Sequence, residues 1–122
     1  MFSIDIMSRI PVYEQLINQV QENILLGILK PGDKMISVRN LSMELSVNPN
    51  TIQKAYTELD RLGLITTVPG KGSFISQDAL DLVSSLSREK LEDVRHLIEE
   101  VKKAGVTRKE LVDLIEEIYK EK

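Results

Sequence analysis

Residues 36–77, ISVRNLSMELSVNPNTIQKAYTELDRLGLITTVPGKGSFISQ, change their apolar period partway along, and that change constrains the fold more than any other feature. Val38, Leu41 and Leu45 recur at helical spacing behind Ser37, a good N-cap. Ser46 and Val47 make a turn. Asn48 then caps a second helix, and Pro49 fits its first position, where a missing N–H has no partner to lose. Ile52, Ala55, Tyr56, Leu59 and Leu62 form the buried face of that helix, and Gly63 stops it. Leu64-Ile65-Thr66-Thr67-Val68 and Ser73-Phe74-Ile75 read as strands around a Pro69-Gly70-Lys71-Gly72 turn. Helix, tight turn, helix and hairpin is the order of a winged helix-turn-helix, whose second helix enters the DNA major groove.

The residues left outside the apolar stripe of the second helix are Asn50, Thr51, Gln53, Lys54, Thr57 and Arg61. The first four lie in or just past its opening turn, where recognition helices touch base edges. Asn and Gln suit the paired donor and acceptor of adenine, and Lys suits guanine or a phosphate. Arg39, beside the start of the first helix, suits a phosphate. At the hairpin tip Lys71 stands between Gly70 and Gly72, which let backbone approach a sugar-phosphate surface closely. This tip is not a nucleotide-binding P-loop, since position 72 is Gly where Ser or Thr is needed and position 65 is Ile where Gly is needed.

These residues resemble the GntR family of transcription regulators, and specifically its short YtrA-like branch. The shared motifs are Pro11-Val12-Tyr13-Glu14-Gln15, Lys30-Pro31-Gly32-Asp33, Ser37-Val38-Arg39-Asn40-Leu41 and Val47-Asn48-Pro49-Asn50-Thr51. They continue through Lys54-Ala55-Tyr56, Leu59, Gly63-Leu64-Ile65 and Gly70-Lys71-Gly72, in register over residues 4–77. The resemblance implies a DNA-binding dimer in which Arg39, the start of the recognition helix and the wing glycines meet an operator, so the eleven candidate contacts are Ser37, Arg39, Asn48, Pro49, Asn50, Thr51, Gln53, Lys54, Gly70, Lys71 and Gly72. It also suggests control of a transporter operon. Ile36 stands where the family commonly has Pro and Ser46 where it has Gly, so that turn should carry a strain of up to roughly 1 kcal/mol. Thr66 and Thr67 replace frequent wing arginines, which bears on the strength of the wing's contacts.

The formal net charge of −3 is at odds with a DNA binder until it is divided. Residues 30–77 hold six basic against four acidic side chains, whereas residues 78–122 hold nine against twelve. Positive charge thus gathers on the motif, modestly enough that binding should depend on two paired copies. The chain of 122 residues is about one domain long, with no room for a separate catalytic domain, and lacks cysteine, which excludes disulfides and thiolate metal sites. The start MFSIDIMSRIP has no signal-peptide pattern, and charges interrupt every candidate membrane span, so a soluble cytoplasmic protein is expected.

Flanking segments complete the organisation. Phe2, Ile4 and Ile6 alternate along an extended arm, and Pro11 begins a helix with a face of Val12, Leu16, Ile17, Val20, Ile24 and Leu25. In the tail, Leu80, Val83 and Leu86 recur, followed by Leu91, Val94, Ile98 and Val101; one kinked helix or two short ones both fit. Ala104-Gly105 ends this part. Thr107 caps a last helix with Glu110 three residues on, and Leu111, Leu114, Ile115 and Ile118 form its stripe. A small winged domain cannot cover both stripes, so the tail is read as a dimerisation module meeting a second copy.

The expected fold is therefore α+β, mostly α: a winged helix-turn-helix over residues 1–77 followed by a two-helix dimerisation segment over 78–122. The expected function is a homodimeric, sequence-specific DNA-binding transcription regulator, a repressor on an inverted-repeat operator, with any small-molecule effector left open. The alternative is a winged-helix protein-interaction module that reads no DNA, because the fold alone does not fix function. Protein contact, however, would favour aromatic or apolar anchors over Asn50, Gln53 and Lys54. Tyr56 is read as core rather than as a stacking platform. No enzyme is expected: there is no nucleophile–base pair, and Ser87-Arg88-Glu89-Lys90 matches an S-x-x-K string without its companion motifs. No cofactor or metal is assigned, since His96 is the sole histidine and a zinc site needs several converging ligands.

Overall fold

The computed structural model describes residues 2–120, so the outer limits set above at residues 1 and 122 lie outside the described residues. An N-terminal arm leads into helix α1, Val12–Leu25, with Pro11 as its extended N-cap rather than its first turn. Two glutamines on α1 stand in for a neighbouring strand. Gln19 Oε1 accepts from the Ser3 N–H (3.0 Å) and Gln15 Oε1 from the Asp5 N–H (2.9 Å), while each side-chain amide donates back to the carbonyl of the same arm residue. Phe2 and Ile4 pack on the core, but Ile6 is 80% exposed. The expected alternation breaks there because Asp5 turns the chain: its Oδ1 accepts from the Met7 N–H and its carbonyl from the Ser8 N–H. Leu25, expected on the buried face of α1, is 47% exposed, since it lies half a turn round the helix from Leu16.

Helix α2, Val38–Leu45, starts at Ser37, whose Oγ accepts from the Asn40 N–H at 3.1 Å. It ends at Ser46, which takes the left-handed conformation (φ 55°), alone among the described non-glycine residues. The Ser42 hydroxyl donates to the Val47 carbonyl and braces that turn. Helix α3, Pro49–Arg61, is capped by Asn48, whose Oδ1 accepts from the Asn50 N–H at 2.8 Å. At its far end the Gly63 N–H reaches Asp60 O and the Leu64 N–H reaches Leu59 O, the paired bonds of a Schellman stop with Gly63 at φ 81°. Leu64 is committed to that cap, so strand β1 runs over Ile65–Val68, one residue later than the pattern suggested.

Strand β2, Gly72–Ile75, pairs antiparallel with β1 in the register Ile65 opposite Ile75 and Val68 opposite Gly72. The connection before α2 lies along the hairpin. Gly32 N–H donates to Ile75 O, Ile75 N–H to Asp33 O and Met35 N–H to Ser73 O, each at 2.8 Å. The segment Gly32–Met35 therefore lends the wing a third, irregular edge. Leu16, Val20, Leu41, Ile52, Leu59, Leu64 and Ile75 are the centre of the core that these elements enclose.

Helix α4, Ala79–Lys103, is one continuous helix, which resolves the choice between one helix and two. Its first turns complete the core: Ala79 and Val83 are fully buried and Leu82 packs beside them, whereas Leu80, expected on the same stripe as Val83, is half exposed. The first compact unit accordingly extends to Ser85, past the limit expected at residue 77, and a second unit begins at Leu86. Within the second unit helix α5, Arg108–Lys120, opens with the expected capping box. Glu110 Oε2 accepts from the Thr107 N–H (2.8 Å) and Thr107 Oγ1 from the Glu110 N–H (3.2 Å). None of the described residues from Leu86 onward is buried.

Candidate nucleic-acid interface

The buried stripe of α3 fixes which way its other residues face. With Ile52, Ala55, Tyr56 and Leu59 in the core, Asn50, Gln53, Lys54 and Thr57 are left exposed, and Thr51 is half-buried. Tyr56 locks the helix in rotation: its hydroxyl donates to the Ile36 carbonyl at 2.6 Å, and burial pushes its pKa up to about 12. It is a core residue, as expected, and it ties α3 to the entry of α2.

The opening turn of α3 is organised by its cap. Asn48 uses its side-chain oxygen on the Asn50 N–H, and Pro49 removes one donor that would otherwise lack a partner. The remaining N–H groups and the positive end of the helix dipole favour negative charge there. Gln53 lies along the helix, its Nε2 donating to Thr57 Oγ1 at 3.2 Å. Lys54 reaches to α1, where its Nζ sits 3.9 Å from the centroid of the Tyr13 ring. That contact joins two helices, and their sequences give no local sign of it. Arg61, outward in the sequence reading, is taken up by Glu58: its Nε donates to the carboxylate at 2.9 Å, and this bond holds the Glu58 carboxyl below its ordinary range.

A second group of expected residues gathers at the junction of α2 and the hairpin. Ser37, Lys71 and Gly72 line one concavity together with Lys34, Val38 and Ser73. Arg39 is exposed on the first turn of α2. The tip turn closes through the Lys71 N–H on Val68 O at 2.9 Å, with Gly70 at φ 78° and Gly72 at φ 118°. A Cβ on Gly72 would stand 3.0 Å from Lys34 Cε, so the glycine leaves the lysine stem its path beside the tip of the wing. Lys34 is a cation the sequence reading missed. It reaches the hairpin through its bridge to Phe74, a pairing between distant residues with no local signature. Thr66 and Thr67, where arginines are frequent, instead bond across the hairpin to Ser76 (3.3 Å) and Ser73 (3.1 Å).

The expected residues thus fall into two exposed clusters, one at the start of α3 and one where α2 meets the wing. All eleven belong to the first compact unit. Among the described residues no three metal-ligating side chains converge, and no helix is long and apolar enough to cross a membrane.

Comparison with known proteins gives this geometry a family. The family described as "Bacterial regulatory proteins, gntR family" matches residues 12–75, from the start of α1 to the end of β2. The HTH-type transcriptional repressor YtrA of Bacillus subtilis is 44% identical over 119 residues, 97% of this chain and 92% of that one. A crystal structure of a transcriptional regulator from Oenococcus oeni superposes with a TM-score of 0.73 at 31% identity, covering 98% of this chain and 99% of that one. The AraR(DBD) structure in complex with operator ORX1 superposes with a TM-score of 0.54 at 28% identity, over 62% of this chain and 93% of that one. The match runs through every element that builds the two clusters, and the chain belongs to the GntR family of bacterial regulatory proteins, similar along nearly its whole length to YtrA.

Proposed function

We propose that this DNA-binding transcription regulator acts in the cytoplasm as a homodimeric repressor without catalytic activity, two copies of α3 reading the halves of an inverted-repeat operator. The observation that carries this reading is the polar opening of α3: Asn50, Gln53 and Lys54 exposed beside a capped helix N-terminus, on a helix whose rotation is fixed by its buried face. Ser37, Arg39, Lys71, Gly70 and Gly72 serve the phosphate backbone, with Lys34 added to them. The tail supports the dimer, because α4 and α5 present Leu91, Leu97, Leu114 and Ile118 to solvent, a stripe that a second copy of the chain would cover. The repressor named YtrA and the AraR domain bound to its operator support the sign of regulation and the partner.

Selection of duplexes from a random-sequence pool by the full chain tests this reading. Two matching half-sites should emerge in inverted orientation, about 10 base pairs apart centre to centre or a multiple of that. With roughly 6–10 phosphates neutralised, affinity should drop about 10³–10⁵-fold between 50 and 200 mM salt. A pool that never enriches, or binding indifferent to salt, would favour a protein-interaction module instead.

A further inference from the structure

Lys54 differs from the other outward residues of α3 in what holds it. Its ammonium lies over the face of Tyr13, the second residue of α1, whose ring is half-buried and packed against the core. Both residues line the groove between the two helices, alongside Asn50 and Gln53. The phenol oxygen is engaged at the side, donating to Glu14 Oε1 at 3.3 Å, which leaves the ring face to the cation. A lysine head on a flexible four-carbon stem loses freedom when it settles on a phosphate. A ring that attracts the cation beforehand removes part of that loss.

We infer that Tyr13 is a positioning residue for DNA binding, its ring holding the Lys54 ammonium at the edge of the α1–α3 groove so that Lys54 meets the phosphate backbone already ordered. The inference rests on the reading of α3 as the DNA-facing helix. It divides the labour on that helix. Asn50 and Gln53 choose bases, while Lys54, drawn toward α1, acts as a point charge on phosphate. Tyr13 itself takes no part in sequence choice.

The test is a double-mutant cycle in the full chain, read by binding to a duplex selected from a random pool and to its shuffled counterpart at several salt concentrations. Lys54→Met should weaken both duplexes alike, by about tenfold, and lower the log–log salt slope by about one. Tyr13→Leu should weaken both by about threefold to tenfold, and Tyr13→Phe, which keeps the ring, by less than about twofold. In the Lys54→Met background, Tyr13→Leu should have no further effect. Equal losses from Tyr13→Leu with and without Lys54 overturn the inference, as does a Tyr13→Phe variant as weak as Tyr13→Leu. If Lys54→Met binds normally while Asn50→Ala loses discrimination, the inference falls and the reading of α3 stands; if neither changes, both fall. The contact itself is read in free wild-type protein by the ring-current shift of the Lys54 ε-methylene protons. That shift should persist in Tyr13→Phe, and its absence from wild type overturns the inference even if Tyr13→Leu fails to fold.

Discussion

The helix-turn-helix unit and the tail carry similar apolar stripes that meet opposite ends. In the first unit Leu16, Leu41, Ile52 and Leu59 are buried to within 1% of complete, because α1, α2, α3, the hairpin and the first turns of α4 close on one another. In the second unit Leu91 is 64% exposed and Leu114 50%, although both sit on stripes of the same helical period. Periodicity therefore announces an apolar face in both places and says nothing about what covers it. A face is closed within the chain only where enough elements converge. Elsewhere the same pattern points to another molecule.

Removing the tail gives the widest test of that contrast. Truncation after Ser85, which retains Ala79 and Val83 in the core, should leave a folded monomer, with affinity for a two-half-site duplex down about 10²–10⁴-fold. A truncated protein that sediments as a dimer would break the division. Truncation after Gln77 should instead destabilise the unit itself, which separates the two boundaries by thermal melting.

Single residues sharpen the contrast. Leu59→Ala opens a cavity in a complete core and should cost about 2–5 kcal/mol whatever the protein concentration. Leu114→Ser should leave the melting of the first unit unchanged and raise the dimer dissociation constant. If Leu114→Ser acts only on the first unit, the tail is not the dimer surface.

Within the first unit, readers should differ from positioners. Asn50→Ala should cost about 1–3 kcal/mol on a selected duplex and little on a shuffled one, whereas Arg39→Ala should weaken both and reduce the salt slope by about one. An unchanged ratio of the two affinities in Asn50→Ala would remove α3 from its role as sequence reader.

The smallest expected effect tests the lock behind α3. The Tyr56 phenol has its pKa raised to about 12 in the folded chain, so its contribution is complete below pH 10, where both states are neutral. Above pH 10 the unfolded state ionises first, and stability is lost as pH rises toward 12. Tyr56→Phe should cost about 1 kcal/mol near neutrality through the missing bond to Ile36, yet show a flatter decline than wild type between pH 10 and 12. Equal slopes in chemical denaturation would show that Tyr56 ionises as readily in the folded chain as in the unfolded one.

What could be read from the sequence was what neighbours in the chain decide. The caps at Ser37, Asn48 and Thr107 and the stop at Gly63 all rest on a few adjacent residues and stand as expected, while the strained turn at Ser46, found left-handed, was legible only through the family resemblance. The outward set of α3 followed from its apolar stripe in the same way. The remainder depends on pairings between distant residues. Gln15 and Gln19 hold the arm, Tyr13 meets Lys54, Lys34 lies beside the wing, and Val83 belongs to the core rather than to the tail. Several of these residues stand on a stripe or in a motif, but nothing local says which distant residue each one meets, because side chains from separate elements meet only after the backbone has been placed.

The strip Gly32–Met35 that edges the hairpin also bears on the order of events during folding. Lys34 and Phe74 stand forty positions apart in the chain, and α1 meets α3 across a similar span, while α2 and α3 close through neighbours. Loop closure over that distance carries an entropic penalty before any contact repays it, so the nucleus should form from α2 and α3. Substitutions at the wing, such as Phe74→Leu, should then speed unfolding and leave the refolding rate almost untouched. Substitutions at Leu41 or Ile52 should slow refolding. A nascent chain would present its formed α3 before the wing is in place.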